Sequence, residues 1–126
     1  ERVEEARTAA RLIARDLHED SPLERFHELR IRCKWLRYRL ELLRHFGLER
    51  TRKAIAELAS LQNALGRLQD LATVRAELIR LPTRGMPSSA HRLLDAWSAL
   101  LARQIEATRQ TAWTQVQTLK WRRLRP

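Results

Sequence analysis

The chain has 126 residues, with 25 Lys and Arg against 15 Asp and Glu for a net charge of +10, and only three Gly and four Pro. That length suits one domain with a single core, and the composition leans to helix. No apolar run approaches the ~18–20 residues of a membrane span, and no signal peptide is visible. The first residue is Glu1 rather than Met, as expected of a piece of a longer protein. The single Cys33 cannot form an internal disulfide, so a small buried thiol in a reducing, cytoplasmic setting is expected. Only Lys34, Lys53 and Lys120 are lysine, leaving 22 arginines, whose planar donor forks suit phosphate oxygens. The charge is uneven: residues 1–24 carry −3, residues 25–53 carry +7, residues 54–80 carry zero and residues 81–126 carry +6.

In chain order, residues 2–18 repeat Val3, Ala6, Ala10, Ile13 and Leu17 at helical spacing on an acidic background. His18 to Pro22 is a break, in which Ser21 can cap and Pro22 suits the first turn of the next helix. A second helix is expected over residues 22–46, stopped by Gly47 as a left-handed C-cap. A third spans residues 49–81 and holds its core with Ile55, Leu58, Leu61, Leu65, Leu68, Ala72 and Leu78. Gly66 inside it costs ~1 kcal/mol relative to Ala, which suggests a close approach at that point. Pro82 to Ser89 is a loop. A fourth helix over residues 88–123 uses Leu94, Trp97, Leu101, Ile105, Thr108, Ala112, Val116 and Leu119. Its last turns, with Trp113, Lys120, Trp121, Arg122, Arg123 and Arg125, are expected to overhang the bundle. Four helices with short breaks predict an all-α, antiparallel up-down-up-down four-helix bundle as a single domain, residues 1–126.

The second helix carries the informative pattern. Phe26, Leu29, Cys33, Leu36, Leu40 and Leu43 share one apolar face. Beside it runs a polar line, His27, Arg30, Lys34, Arg37, Glu41 and Arg44. A second apolar row, Ile31, Trp35, Tyr38 and Leu42, stands roughly 220° round from the first. Spacings of three, four and three align His27, Arg30, Lys34 and Arg37 along ~15 Å of helix. Like charges at these spacings destabilise a helix by a few tenths of a kcal/mol per pair, so a linear anionic partner explains the row better than a solvated surface does. Arg44 extends the line, and Arg32 and Arg39 are further candidates from charge alone.

Catalytic patterns are missing. The histidines His18, His27, His45 and His91 are scattered, with no H-E-x-x-H or paired-ligand spacing. There is no Gly-rich phosphate loop, no G-x-S-x-G elbow and no acidic cluster suited to Mg²⁺. No enzyme activity, metal or cofactor is expected. Asp70, the only acid between Glu57 and Glu77, is expected to hydrogen-bond or pair with a stripe arginine.

His27-Glu-Leu-Arg30-Ile-Arg-Cys-Lys34-Trp-Leu-Arg37-Tyr38 resembles the H-x-x-R-x-x-x-K-x-x-R-Y signature of CHAD domains, the conserved histidine α-helical domains. Leu61-Gln62-Asn63-Ala64-Leu65-Gly66-Arg67-Leu68-Gln69-Asp70 resembles their second hallmark, L-Q-D-x-L-G-x-x-x-D, with Asn63 where an acid is common. The likeness is close from Leu23 to Leu81 and follows shape more than residues in the fourth helix. It implies a module that binds inorganic polyphosphate, cytoplasmic or on polyphosphate granules, and a chain that is one half, the C-terminal one, of a two-bundle domain. By transfer, His27, Arg30, Lys34 and Arg37 would contact phosphate oxygens, with Tyr38 adding packing or a hydroxyl donor. His27 could equally be a satisfied structural histidine. The second apolar row would then pack on a second bundle, either the other half or a homodimer copy. The rival readings are a nucleic-acid-backbone binder, which lacks Asn or Gln among the helix-two cations for base readout, and a protein-interaction module centred on Trp35.

Overall fold

Four helices, α1 (Arg2–Asp16), α2 (Leu23–His45), α3 (Arg52–Arg80) and α4 (Ser88–Thr118), follow one another in a computed structural model that describes residues 2–125. Glu1 and Pro126 lie outside the described residues. Short 3-10 turns precede α3 (Glu49–Thr51) and follow α4 (Trp121–Leu124), and no strand occurs among the described residues. Consecutive helices pack on each other as an antiparallel four-helix bundle, and the Trp121–Leu124 turn touches both α1 and α3 to close the remaining side. Among the described residues, no helix is long and apolar enough to cross a membrane.

The core follows the apolar stripes. Leu29, Cys33, Leu36 and Leu40 of α2 meet Leu58, Leu61, Leu65 and Leu68 of α3, with Ala6, Ala10 and Ala14 of α1 and Ile105, Ala112 and Val116 of α4 around them. Small residues on α1 let it approach α2 closely. α2 ends as its residues dictate: Gly47 takes φ 92°, its N–H donates to the Arg44 carbonyl at 2.9 Å, and the Leu48 N–H donates to the Leu43 carbonyl at 3.3 Å. This paired arrangement satisfies two carbonyls that a helix end leaves free.

Several expectations are corrected. α1 stops at Asp16, short of residue 18, because Ser21 draws the chain into a turn: its Oγ accepts the His18 N–H at 2.8 Å, so Ser21 does not cap α2. The expected third helix divides into the 3-10 turn and α3, held by the Thr51 hydroxyl donating to the Leu48 carbonyl at 2.7 Å. The fourth stops at Thr118 rather than 123. Its end does not overhang, since the chain turns back and buries Leu124 completely in the core.

The overhang lies at the other end. Buried positions stop at Leu68 on α3 and begin at Ile105 on α4, so the last turns of α3 and the first half of α4 project as a hairpin beyond the core. Val74, Ile79, Leu93, Trp97 and Leu100 stay exposed there, and Trp97, expected in the core, is 57% exposed. α2 is too short to cover them, because α3 runs 29 residues against its 23.

Candidate functional site

The inward stripe of α2 fixes where its polar line points. With Leu29, Cys33, Leu36 and Leu40 fully buried, the residues one position further on fall at the rim of the α2–α3 interface. There, Arg30 and Arg37 of α2 face Gln62, Asn63, Gly66, Arg67 and Asp70 of α3 across an open cleft of about 420 Å³. The α3 residues come together because positions 62, 63, 66, 67 and 70 repeat at one helical face.

Gly66 shapes the cleft. A Cβ built on it would lie 3.5 Å from Arg30 Nε, so the guanidinium of Arg30 crosses α3 at the one position without a side chain. The close approach expected at Gly66 is therefore made by a side chain of α2. Several polar atoms here are buried without a hydrogen-bond partner: Arg30 Nε, Arg37 Nε, His27 Nδ1 and Gln62 Oε1. A buried unpaired donor costs ~1–3 kcal/mol, and more when charged, so the two guanidinium Nε atoms are poised for an acceptor, whereas Gln62 Oε1 is an acceptor that takes a donor. Asp70 lines the cleft but, among the described residues, forms no ion pair with Arg30, Arg37 or Arg67.

The six candidate binding residues of α2 separate. Arg30 and Arg37 share the cleft. His27 sits one turn before Arg30, half-buried, with its orphaned Nδ1. Lys34 lies on the same line, but its Nζ sits 5.5 Å from the Trp35 ring and it does not line the cleft. Tyr38 belongs to the exposed apolar row, edge-on to Trp35 with ring centroids 6.2 Å apart and under the Arg37 guanidinium at 5.3 Å. Arg44 faces a separate, mixed-charge cleft of about 490 Å³ with Glu41, His45 and Glu49, and lies 4.0 Å from the Glu49 carboxylate. Of the further candidates, Arg39 donates to the Arg2 carbonyl at 3.2 Å, bracing α1, and Arg32 stands exposed ~200° round the helix from Arg30.

Arg67, Gln62 and Asn63 were not among the expected contact residues, yet they form the facing wall. Their signal was present in the Leu61–Asp70 motif, whose spacing puts them on the face that carries Gly66. Arg37 is partly restrained, its Nε 3.6 Å from Glu41 Oε1 one turn on. Among the described residues no group of three or more His, Cys, Asp or Glu side chains could hold a metal ion. The cleft thus offers donors and guanidinium charge, with a single carboxylate, and suits an anionic ligand.

The sequence model of the CHAD domain matches residues 1–79, which carry α1, α2 and nearly all of α3, and so both walls of the cleft. No curated protein and no solved structure matches the chain.

Proposed function

From the premise that this chain belongs to the CHAD domain family, we propose that it is a non-catalytic module that binds inorganic polyphosphate in the α2–α3 cleft. The observation that carries this reading is the pair of buried guanidinium Nε atoms, Arg30 and Arg37, which make no hydrogen bond at a cleft where Arg30 lies against Gly66. Phosphate oxygens supply the missing acceptors, and successive phosphates of a chain match cations spaced along a helix. Arg67 completes the grip from α3. Lys34 reaches the same chain by leaving Trp35, and His27 extends the path by one turn. Arg44 and Tyr38 are peripheral to this path.

The exposed row Ile31, Trp35, Tyr38 and Leu42 supports a second element of the reading, that the chain is one half of a two-bundle domain. Trp35 is 50% exposed and Leu42 57% exposed, a degree of apolar exposure that marks an interaction surface on a helix already packed on its other side. A second bundle seated there would wall the basic line from a third side.

Calorimetric titration of long-chain polyphosphate at two salt concentrations, with single-stranded DNA of equal charge as competitor, tests the function. Binding that weakens steeply with salt, resists displacement by DNA and falls by about tenfold or more in R30Q/R37Q/R67Q is expected. Equal displacement by DNA would make the surface a generic cation patch, and unchanged binding in the triple variant would overturn the cleft assignment.

A further inference from the structure

A second cationic surface lies away from α2. After Glu106 the sequence contains no Asp or Glu, while Arg109, Lys120, Arg122, Arg123 and Arg125 follow. The Trp121–Leu124 turn gathers three of these, Lys120, Arg122 and Arg123, with Arg11 of α1 around a depression of about 380 Å³ floored by Trp121. Among the described residues, no carboxylate lines it. Some exposed arginines elsewhere form local ion pairs, as in Arg25 with Glu28, Arg52 with Glu49 and Arg80 with Glu77. Among the described residues, none of these four cations has such a partner.

The cations are also held in place. Leu124 is fully buried, the Arg123 N–H donates to the Lys120 carbonyl at 2.9 Å, and Arg7 reaches from α1 to the Trp121 carbonyl at 3.5 Å. The Arg7 guanidinium is itself anchored by Glu4, whose carboxyl it holds below the usual range. Charges carried on a fixed backbone cost less to order around a ligand than charges on a loose tail.

The location differs from the α2–α3 cleft. Lys120 and Arg123 also border a groove with Glu57, Ser60 and Leu61 of α3, and Glu57 stands ~180° round that helix from Gly66. The groove that adjoins the second basic surface therefore lies on the opposite side of α3 from the cleft.

We propose that the surface formed by Arg11, Lys120, Arg122 and Arg123 is a second phosphate-binding site, and that the two sites let one molecule link two phosphate chains or two stretches of one long chain. The linking rests on the reading of the α2–α3 cleft as a phosphate site, whereas the second site does not. Inorganic phosphate is favoured over a sequence-reading nucleic-acid site because no Asn or Gln lines the depression to read a base edge.

Tripolyphosphate is too short to span both surfaces, so calorimetry with it counts them. The wild-type chain is expected to take up two equivalents, K120Q/R122Q/R123Q one, and R30Q/R37Q/R67Q one. All six side chains are polar and none belongs to the buried core, and circular dichroism verifies the fold. R11Q/R122Q, which leaves the turn otherwise intact, serves as a milder variant that should weaken the second equivalent. With long-chain polyphosphate, light scattering from cross-linked complexes should drop about tenfold or more in either triple variant. A single wild-type equivalent, abolished by R30Q/R37Q/R67Q and untouched by K120Q/R122Q/R123Q, overturns the second site and leaves the cleft standing. Binding lost only in K120Q/R122Q/R123Q supports the second site and overturns the cleft. Displacement of the second equivalent by single-stranded DNA alone overturns its assignment to inorganic phosphate.

Discussion

Cys33 is fully buried on the inner face of α2, and burial pushes its thiol from 9.0 up to about 12. A neutral thiol is the form the core accepts. Between these values the unfolded chain gives up a proton that the folded chain keeps, so stability falls as pH rises above about 9, by at most ~1.4 kcal/mol per pH unit. Chemical denaturation of wild type and C33A from pH 8 to 11 should show that slope in wild type alone. Glu41 poses a different question. Its carboxylate sits 3.6 Å from Arg37 Nε, on a pair that is 25% and 41% exposed, and competes with any anion in the cleft. Because such exposed pairs contribute ~0.2–1 kcal/mol, E41Q should tighten polyphosphate binding by at most roughly fivefold. Unchanged affinity in E41Q would place the ligand away from Arg37. At this scale the sequence was informative about alignment and silent about direction. The spacing of His27, Arg30, Lys34 and Arg37 put them on one line, but only packing shows Lys34 turned to Trp35 and Arg30 laid across Gly66.

α2 was legible because its periodicity is redundant: six inward apolar residues, a polar line and a second apolar row each repeat the same helical phase. Both apolar faces appear in the fold as read, one buried and one exposed. α4 was legible in phase but not in context. Its stripe continues through Leu94, Trp97 and Leu101, yet whether a stripe is buried depends on what lies opposite, and α2 ends too soon to lie there. The break at Leu119 and Lys120 was equally hidden, since no Gly or Pro marks it. The chain leaves the helix there to bring Leu124 into the core and close the side between α1 and α3. Hydrogen exchange should divide α3 and α4 accordingly. Amides in residues 74–80 and 88–100 are expected to exchange faster than those in residues 54–68 and 105–116, because the projecting hairpin has few buried contacts to stabilise it. Uniform protection along both helices would mean that the hairpin is covered in solution.

At the scale of the molecule, two apolar surfaces and two basic ones share a bundle of 126 residues. The row at Ile31, Trp35, Tyr38 and Leu42 is the surface proposed to take a second bundle, and a copy of the same chain can stand in for it. Sedimentation from low to high micromolar concentration should show dimerisation with a shift in Trp fluorescence, both reduced in W35A. A concentration-independent monomer with unchanged fluorescence would leave that row without a self-partner. Like-charge repulsion at +10 opposes association, so raising salt should favour the dimer while weakening polyphosphate binding. Opposite responses to one variable separate the two interactions.

Much of this protein is local information. Helix type, phase and number, the C-cap at Gly47, the burial of Cys33 and the alignment of the basic line all depend on residues within a few turns of one another, and the sequence by itself determined them. What depends on which residues face each other across helices was decided only by the tertiary structure. That includes the cleft shared by Arg30 and Arg37 with Arg67, the separation of Arg44, the exposure of Trp97, and the fold-back that gathers Lys120, Arg122 and Arg123 beside Arg11. Helical periodicity sets the direction of each side chain from its own axis. The lengths and offsets of neighbouring helices set what that side chain meets.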